Sequence, residues 1–224
     1  MKPERMTCPQ KRKIIIMKLT RIIAAAFAAL VFIQGVSAQN SGKPVQVHIR
    51  IGGGVFAETG SATDWSPGLV TRVSAGVEKS IADDWSVMAG GGYRSQLSDI
   101  AHAGWQGNDP DGLSLADAFL VGRYRIDNGR NAFVFGLGPQ ISFVTTNDTY
   151  YIDADPNHPL AGRKKFKNAD YGIQPSVYME IGKHWELGIE GCFGLRNMRI
   201  RYSDFSTSGT IRMHNLMVCA GFRF

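Results

Sequence analysis

The chain closes on NLMVCAGFRF, residues 215–224. Leu216, Val218, Ala220, Phe222 and Phe224 share one parity, and Asn215, Met217, Cys219, Gly221 and Arg223 share the other. Such period-2 alternation describes a β-strand with a different environment on each face. Soluble chains ordinarily end in a frayed polar tail, whereas this one ends on an aromatic residue within a strand. One apolar face and one face carrying a charge need two distinct surroundings, and the rest of the sequence has to supply them.

Seven further segments alternate in the same way. Strands are predicted over 45–56, 69–81, 85–94, 115–126, 132–144, 171–182, 185–195 and 211–224. Most run to 10 residues or more, long for a globular strand and suited to a tilted membrane-crossing one. The fourth is ambiguous in parity, because Asp117 and Arg123 fall among its apolar residues. Short connections (ADD, DNGRN and Lys183-His184) alternate strictly with long polar ones. An even strand count with short turns at one end and long loops at the other is the pattern of a single-chain outer-membrane barrel. The predicted fold is therefore all-β, an eight-stranded antiparallel up-and-down transmembrane barrel over residues 39–224.

Residues 1–38 read as a signal peptide. A basic stretch ends at Arg21, IIAAAFAALVFI is a short apolar core, and VSA before Gln39 fits a small-x-small cleavage site, placing the cut between Ala38 and Gln39. The apolar run is too short for a membrane-spanning helix, which needs about 20 residues. Met17 opens a more ordinary leader and is an alternative start. The leader holds seven basic residues and one acidic, which accounts for the whole formal net charge of +6. The remainder balances at 18 of each sign, which removes the electrostatic argument for nucleic acid.

Parity assigns the faces. Trp85, Phe133 and Trp185 each open a strand just after a short turn, and Phe222 and Phe224 fall at the same level, as an interfacial aromatic girdle would. The opposite face carries His48, Gln140 and Gln174 with a charge network of Arg50, Arg72, Glu78, Arg94, Glu180, Glu186, Glu190 and Arg223. Eight strands enclose a space that side chains fill, so these charges must pair and the lumen should be plugged. Glu180 faces Glu186 across a short turn, and Arg223 is the expected cation between them, with Arg125 second. Folding the last hairpin about Phe205 and Ser206 sets Cys192 beside Cys219, a possible cross-strand pair. Two cysteines make neither a disulfide scaffold nor a zinc site.

These residues resemble the outer-membrane β-barrel domain family of small eight-stranded barrels, including the PorT-like proteins. AFVFGLGPQISF looks like the family's aromatic-x-x-Gly-x-Gly-Pro block through Phe133, Gly136, Gly138 and Pro139. SVYMEIGKHWELGIEGCFGL is similar to its sixth and seventh strands, with Glu180 and Glu190 as inward acids. The ending GFRF resembles the C-terminal signal read by the barrel-assembly machinery, with Phe224 at its tip. DAFLVGRYRI departs from the pattern, having no Pro before its apolar run.

No motif for cofactor chemistry survives inspection. The glycine-rich stretches lack the GK[ST] of a phosphate loop. DADPNHPLAGRK opens like a calcium loop with Asp153, Asp155 and Asn157, then puts His158 and Lys164 where a glycine and a bidentate acid are required. GRKKFKN reads as a solvated basic patch or a contact for lipopolysaccharide headgroups. His214, Asp204, Ser206 and Ser208 lack the spacing of a lipid A hydrolase site. The expectation is a non-enzymatic protein of a Gram-negative-type outer membrane, without cofactor or metal. Its partners would be outer-membrane lipid and lipopolysaccharide, with periplasmic chaperones and the assembly machinery during biogenesis, and no nucleic acid. Two alternatives are a soluble lipocalin-like barrel with its apolar face inward and a lipid A-modifying enzyme.

Overall fold

The computed structural model describes residues 45–61, 67–97, 112–147, 166–200 and 209–224. The predicted leader and its Ala38–Gln39 cleavage site, the calcium-like loop, and Asp204, Ser206 and Ser208 lie outside them.

Eight strands form one closed antiparallel barrel: β1 Val45–Thr59, β2 Gly68–Ser80, β3 Trp85–Leu97, β4 Gly112–Asn128, β5 Asn131–Asn147, β6 Ala169–Ile181, β7 Trp185–Gly194 and β8 Arg212–Arg223. Each strand pairs with its neighbour in sequence, and β8 closes on β1 through pairs such as Arg50/Gly221 and Gly54/Met217. Closure leaves no edge strand with unpaired backbone groups. Short turns at 81–84, 129–130 and 182–184 define one end and the long connections define the other. Gly129 and Gly182 have positive φ of +69° and +61°, a conformation that glycine adopts without the cost a side chain would add. β1, β3, β4 and β5 run further toward the long-loop end than periodicity predicts, because a backbone ladder continues where side-chain alternation has faded.

The barrel is polar inside and apolar outside. Ile51, Leu137 and Val218 are each at least 60% exposed on the outer wall, within a belt that includes Val73, Leu120, Phe135, Val177 and Ile189. Buried within are five arginines, Arg50, Arg72, Arg94, Arg123 and Arg223, together with Asp117, Glu180, Glu186 and Glu190. This polarity overturns the lipocalin-like alternative, which requires the apolar face inward. It also fixes β4: the odd residues Leu115, Asp117, Phe119, Val121 and Arg123 point inward, and Ala116, Leu120, Tyr124 and Ile126 lie on the outer face.

Two ladders are interrupted at mid-length. The β4–β5 pairing skips Leu120/Pro139 and Val121/Gly138, and the β6–β7 pairing skips Gln174/Cys192 and Pro175/Gly191. In each gap a proline has no N–H to give its neighbour. The β4 and β5 walls stay in contact, for Gly138 packs so tightly on the Leu120 carbonyl that a β-carbon has no room there.

Over the long-loop end lies an apolar lid. Phe166 bridges to Arg199, Lys167 N donates to Met198 O (2.8 Å), and Met198 N donates to Ile211 O (2.8 Å). Asn197 Oδ1 accepts from the backbone N–H groups of Arg199 and Ile211. The undersides of these segments, Phe166, Met198 and Ile211, are buried in one cluster with Phe56, Val70, Leu113, Leu115 and Met213.

Candidate functional site

The lumen holds two ionic layers. Toward the short-turn end, Glu186 pairs with Arg50, and its Oε2 lies 3.3 Å from His48 Nδ1 and 3.5 Å from Arg123 Nη2. Glu78 meets Arg123 and His48 Nε2 (2.7 Å), and accepts from the Ser86 hydroxyl. Glu180 pairs with Arg223, with Arg125 at 2.9 Å, and with Arg123 at 3.8 Å. Arg223 is anchored by donating to the Gly182 and Lys183 carbonyls. Nearer mid-length, Arg72 bonds Glu190 and lies 3.3 Å from Asp117, and Arg94 reaches Asp117 (3.2 Å) and Ser142 (3.0 Å). Tyr178 joins the layers: its hydroxyl donates to Glu190 (2.9 Å), and the Arg50 guanidinium sits 4.2 Å from its ring centroid.

The expected network residues Arg50, Arg72, Glu78, Arg94, Glu180, Glu186, Glu190 and Arg223 all lie in these layers. One expected contact differs. Arg223 reaches Glu180 and not Glu186; the cation shared by both acids is Arg123, because its position on β4 aims it across the lumen at the β6–β7 pair. Arg123, Asp117 and Tyr178, with the hydroxyls of Ser86 and Ser142, are participants that sequence reasoning left out of the network. Tyr178 shares parity with Gln174 and Glu180, and that signal could have found it.

The cysteine pairing is also corrected. Cys192 faces Asn215, and Cys219 faces Gly188. Both thiols are free and buried. A connection as long as 195–211 does not fix a hairpin's register, and this pairing differs from the expected one by an even number of residues, so each face keeps its chemistry. Cys192 donates to Gln140 Oε1 (2.9 Å) beside a cavity of about 10 Å³ lined by Arg94, Ser142, Asp170 and Met213, roughly the room of one water.

At the short-turn rim, Trp85 packs on Tyr124 (5.0 Å between centroids), and Trp185 packs edge-on against Phe222 (5.1 Å). Phe224 joins Phe222 at 4.9 Å, and Phe133 is exposed on the outer wall. At the opposite rim, His214 Nε2 lies 2.7 Å from the Thr59 hydroxyl on the outer face, with Phe193 beside it. Hydrolytic activation of that hydroxyl would call for an acid on Nδ1, which has no hydrogen-bond partner among the described residues. Nor do those residues hold a metal-ligand cluster.

No family model matches the chain, and no curated protein matches it. Solved structures do resemble it. Neisserial surface protein A is 12% identical with a TM-score of 0.47, over 80% of this chain and 97% of that one. OprG from Pseudomonas aeruginosa is 12% identical with a TM-score of 0.47, over 81% and 97%. The outer membrane enzyme PagL is 7% identical with a TM-score of 0.44, over 79% and 97%. The likeness is one of barrel shape, and no activity is carried across from it.

Proposed function

We propose that this chain is an integral barrel of a Gram-negative-type outer membrane, with a sealed lumen and no enzymatic activity, serving through its long-loop end in envelope integrity or surface binding. The observation that carries this reading is the inverted polarity of the barrel. A continuous apolar outer belt of this size would aggregate in water, and a bilayer is the solvent that stabilises it while a closed ladder satisfies the backbone. Aromatic rings at the short-turn rim support the orientation, with that end periplasmic and the lid extracellular. A sealed lumen is supported by the paired charges and the apolar lid. The PorT-like resemblance rests on strand motifs and adds no activity. Cell fractionation tests the reading. Recovery in the membrane fraction, released only by detergent, is expected; recovery in a detergent-free periplasmic extract overturns it.

A further inference from the structure

Among the described residues, the long-loop end carries its surface charge on one side. Among its described residues, the charged side chains that reach the surface are Lys167, Arg196, Arg199 and Arg212, all on the β6–β8 side. The described acids nearest them, Glu58 and Asp170, are buried. The four cations share one hydrogen-bonded shelf: Lys167 N bonds Met198 O, Met198 N bonds Ile211 O, and Arg196 Nη1 donates to Ala169 O (3.0 Å). Directly below, the outer wall turns apolar, with Tyr171, Ile173, Phe193, Leu195 and Leu216 exposed. Arg212 stands four residues from Leu216 on the outer face of β8, roughly 10 Å up a tilted strand. His214 and Thr59 fill the level between them as a hydroxyl–imidazole pair.

We infer that the β6–β8 shelf is a binding site for a phosphorylated glycolipid of the outer leaflet. Its phosphates would rest on the Arg199 and Arg212 guanidinium groups, and its acyl chains on Tyr171, Phe193, Leu195 and Leu216. A planar guanidinium meets phosphate through paired, charge-assisted hydrogen bonds. Cations at headgroup level above an apolar wall match an anionic amphiphile, and a free anion would have no use for that wall. The buried undersides of the shelf hold the cations on rigid backbone instead of a loose tail. This inference rests on the membrane reading above.

The test is native mass spectrometry of the full barrel purified in a neutral detergent and offered a bis-phosphorylated lipid A, its dephosphorylated form, or inorganic phosphate. Retention of the phosphorylated lipid is expected. The dephosphorylated lipid and the Arg199→Gln/Arg212→Gln double variant should each lower retention by about tenfold or more, the size of losing charge-assisted contacts. Arg130→Gln at the opposite rim should leave retention unchanged. Resistance to unfolding in unheated SDS shows that each variant is folded; should the double variant fail that test, the two unmutated lipid arms decide alone. Equal retention of the dephosphorylated lipid overturns the site. So do displacement by inorganic phosphate alone, an unaltered folded double variant, and an equal loss with Arg130→Gln. A chain soluble without detergent would instead sink the membrane reading, a separate and visible failure.

Discussion

Glu180 and Glu186 are directly opposed across the β6–β7 ladder, both buried to 2% exposure, and Arg123 on the far wall lies within 4 Å of each. Two buried acids at cross-strand spacing repel each other, so the strand pair is stable only while cations hold them. The supply is unequal. Glu180 also has Arg223 and Arg125, and Glu186 has Arg50 and His48.

Arg123→Ala should therefore cost the barrel about 3–5 kcal/mol, the usual loss when one member of a buried ion pair is removed. It removes one cation from Glu78 as well as from each of the opposed acids. Arg223→Ala should cost less, since Arg125 remains on Glu180. Urea unfolding in lipid vesicles orders the two; equal costs would mean that Arg123 does not bridge.

Cys192 and Cys219 should both titrate as free thiols in denatured, unreduced protein, and neither should label in the folded barrel. Their strand positions are four residues apart in pairing, too far for the 4.4–6.8 Å Cα separation a disulfide needs. Loss of both thiols in the denatured protein without added oxidant would contradict the β7–β8 register.

In planar bilayers the purified barrel should show no steady nanosiemens-scale current. The ionic layers and the lid leave room for about one water at the Arg94 cavity. Arg72→Ala with Glu190→Ala would remove the mid-length plug, and any leak should appear there first. Steady conductance by the unaltered protein would contradict a sealed lumen.

Phe224 packs edge-on against Phe222 at the rim, and its backbone N–H donates to Val47 O (2.9 Å) across the closing seam. Deleting it should lower the folded, heat-modifiable fraction without changing synthesis, as expected if assembly factors read the final strand. An unchanged folding yield would reduce Phe224 to a girdle residue.

The wall was legible in the sequence wherever one parity was apolar and the other polar. β8 shows this most cleanly, with Leu216, Val218 and Ala220 against Asn215 and Arg223. β4 was not legible, because its inner face mixes Leu115, Phe119 and Val121 with Asp117 and Arg123; a packed interior needs apolar filler between charges as much as it needs charges. Arg123 was lost for that reason. The Cys192/Cys219 register was lost for another: a slip by an even number of residues leaves both faces chemically intact, so side-chain pattern cannot detect it. Phe166 reads as part of a solvated basic run, yet its ring is buried on the underside of the lid; only the backbone pairing of Phe166 and Lys167 with Arg199 and Met198 reveals that this residue turns inward.

Pro139 and Pro175 interrupt ladders on opposite sides of the same two strands, so β5 and β6 pair with each other without a break while each has one two-residue gap in its ladder to the strand beyond. Compliance is then unevenly distributed around the circumference. Local opening should favour these two gaps, where the wall lacks two register pairs on each side. Amides flanking the seams, such as those of Leu120 and Cys192, should exchange with deuterium sooner than amides at the same depth between β1 and β2. In mechanical terms the barrel is a stiff staved vessel with one short gap in each of two joints.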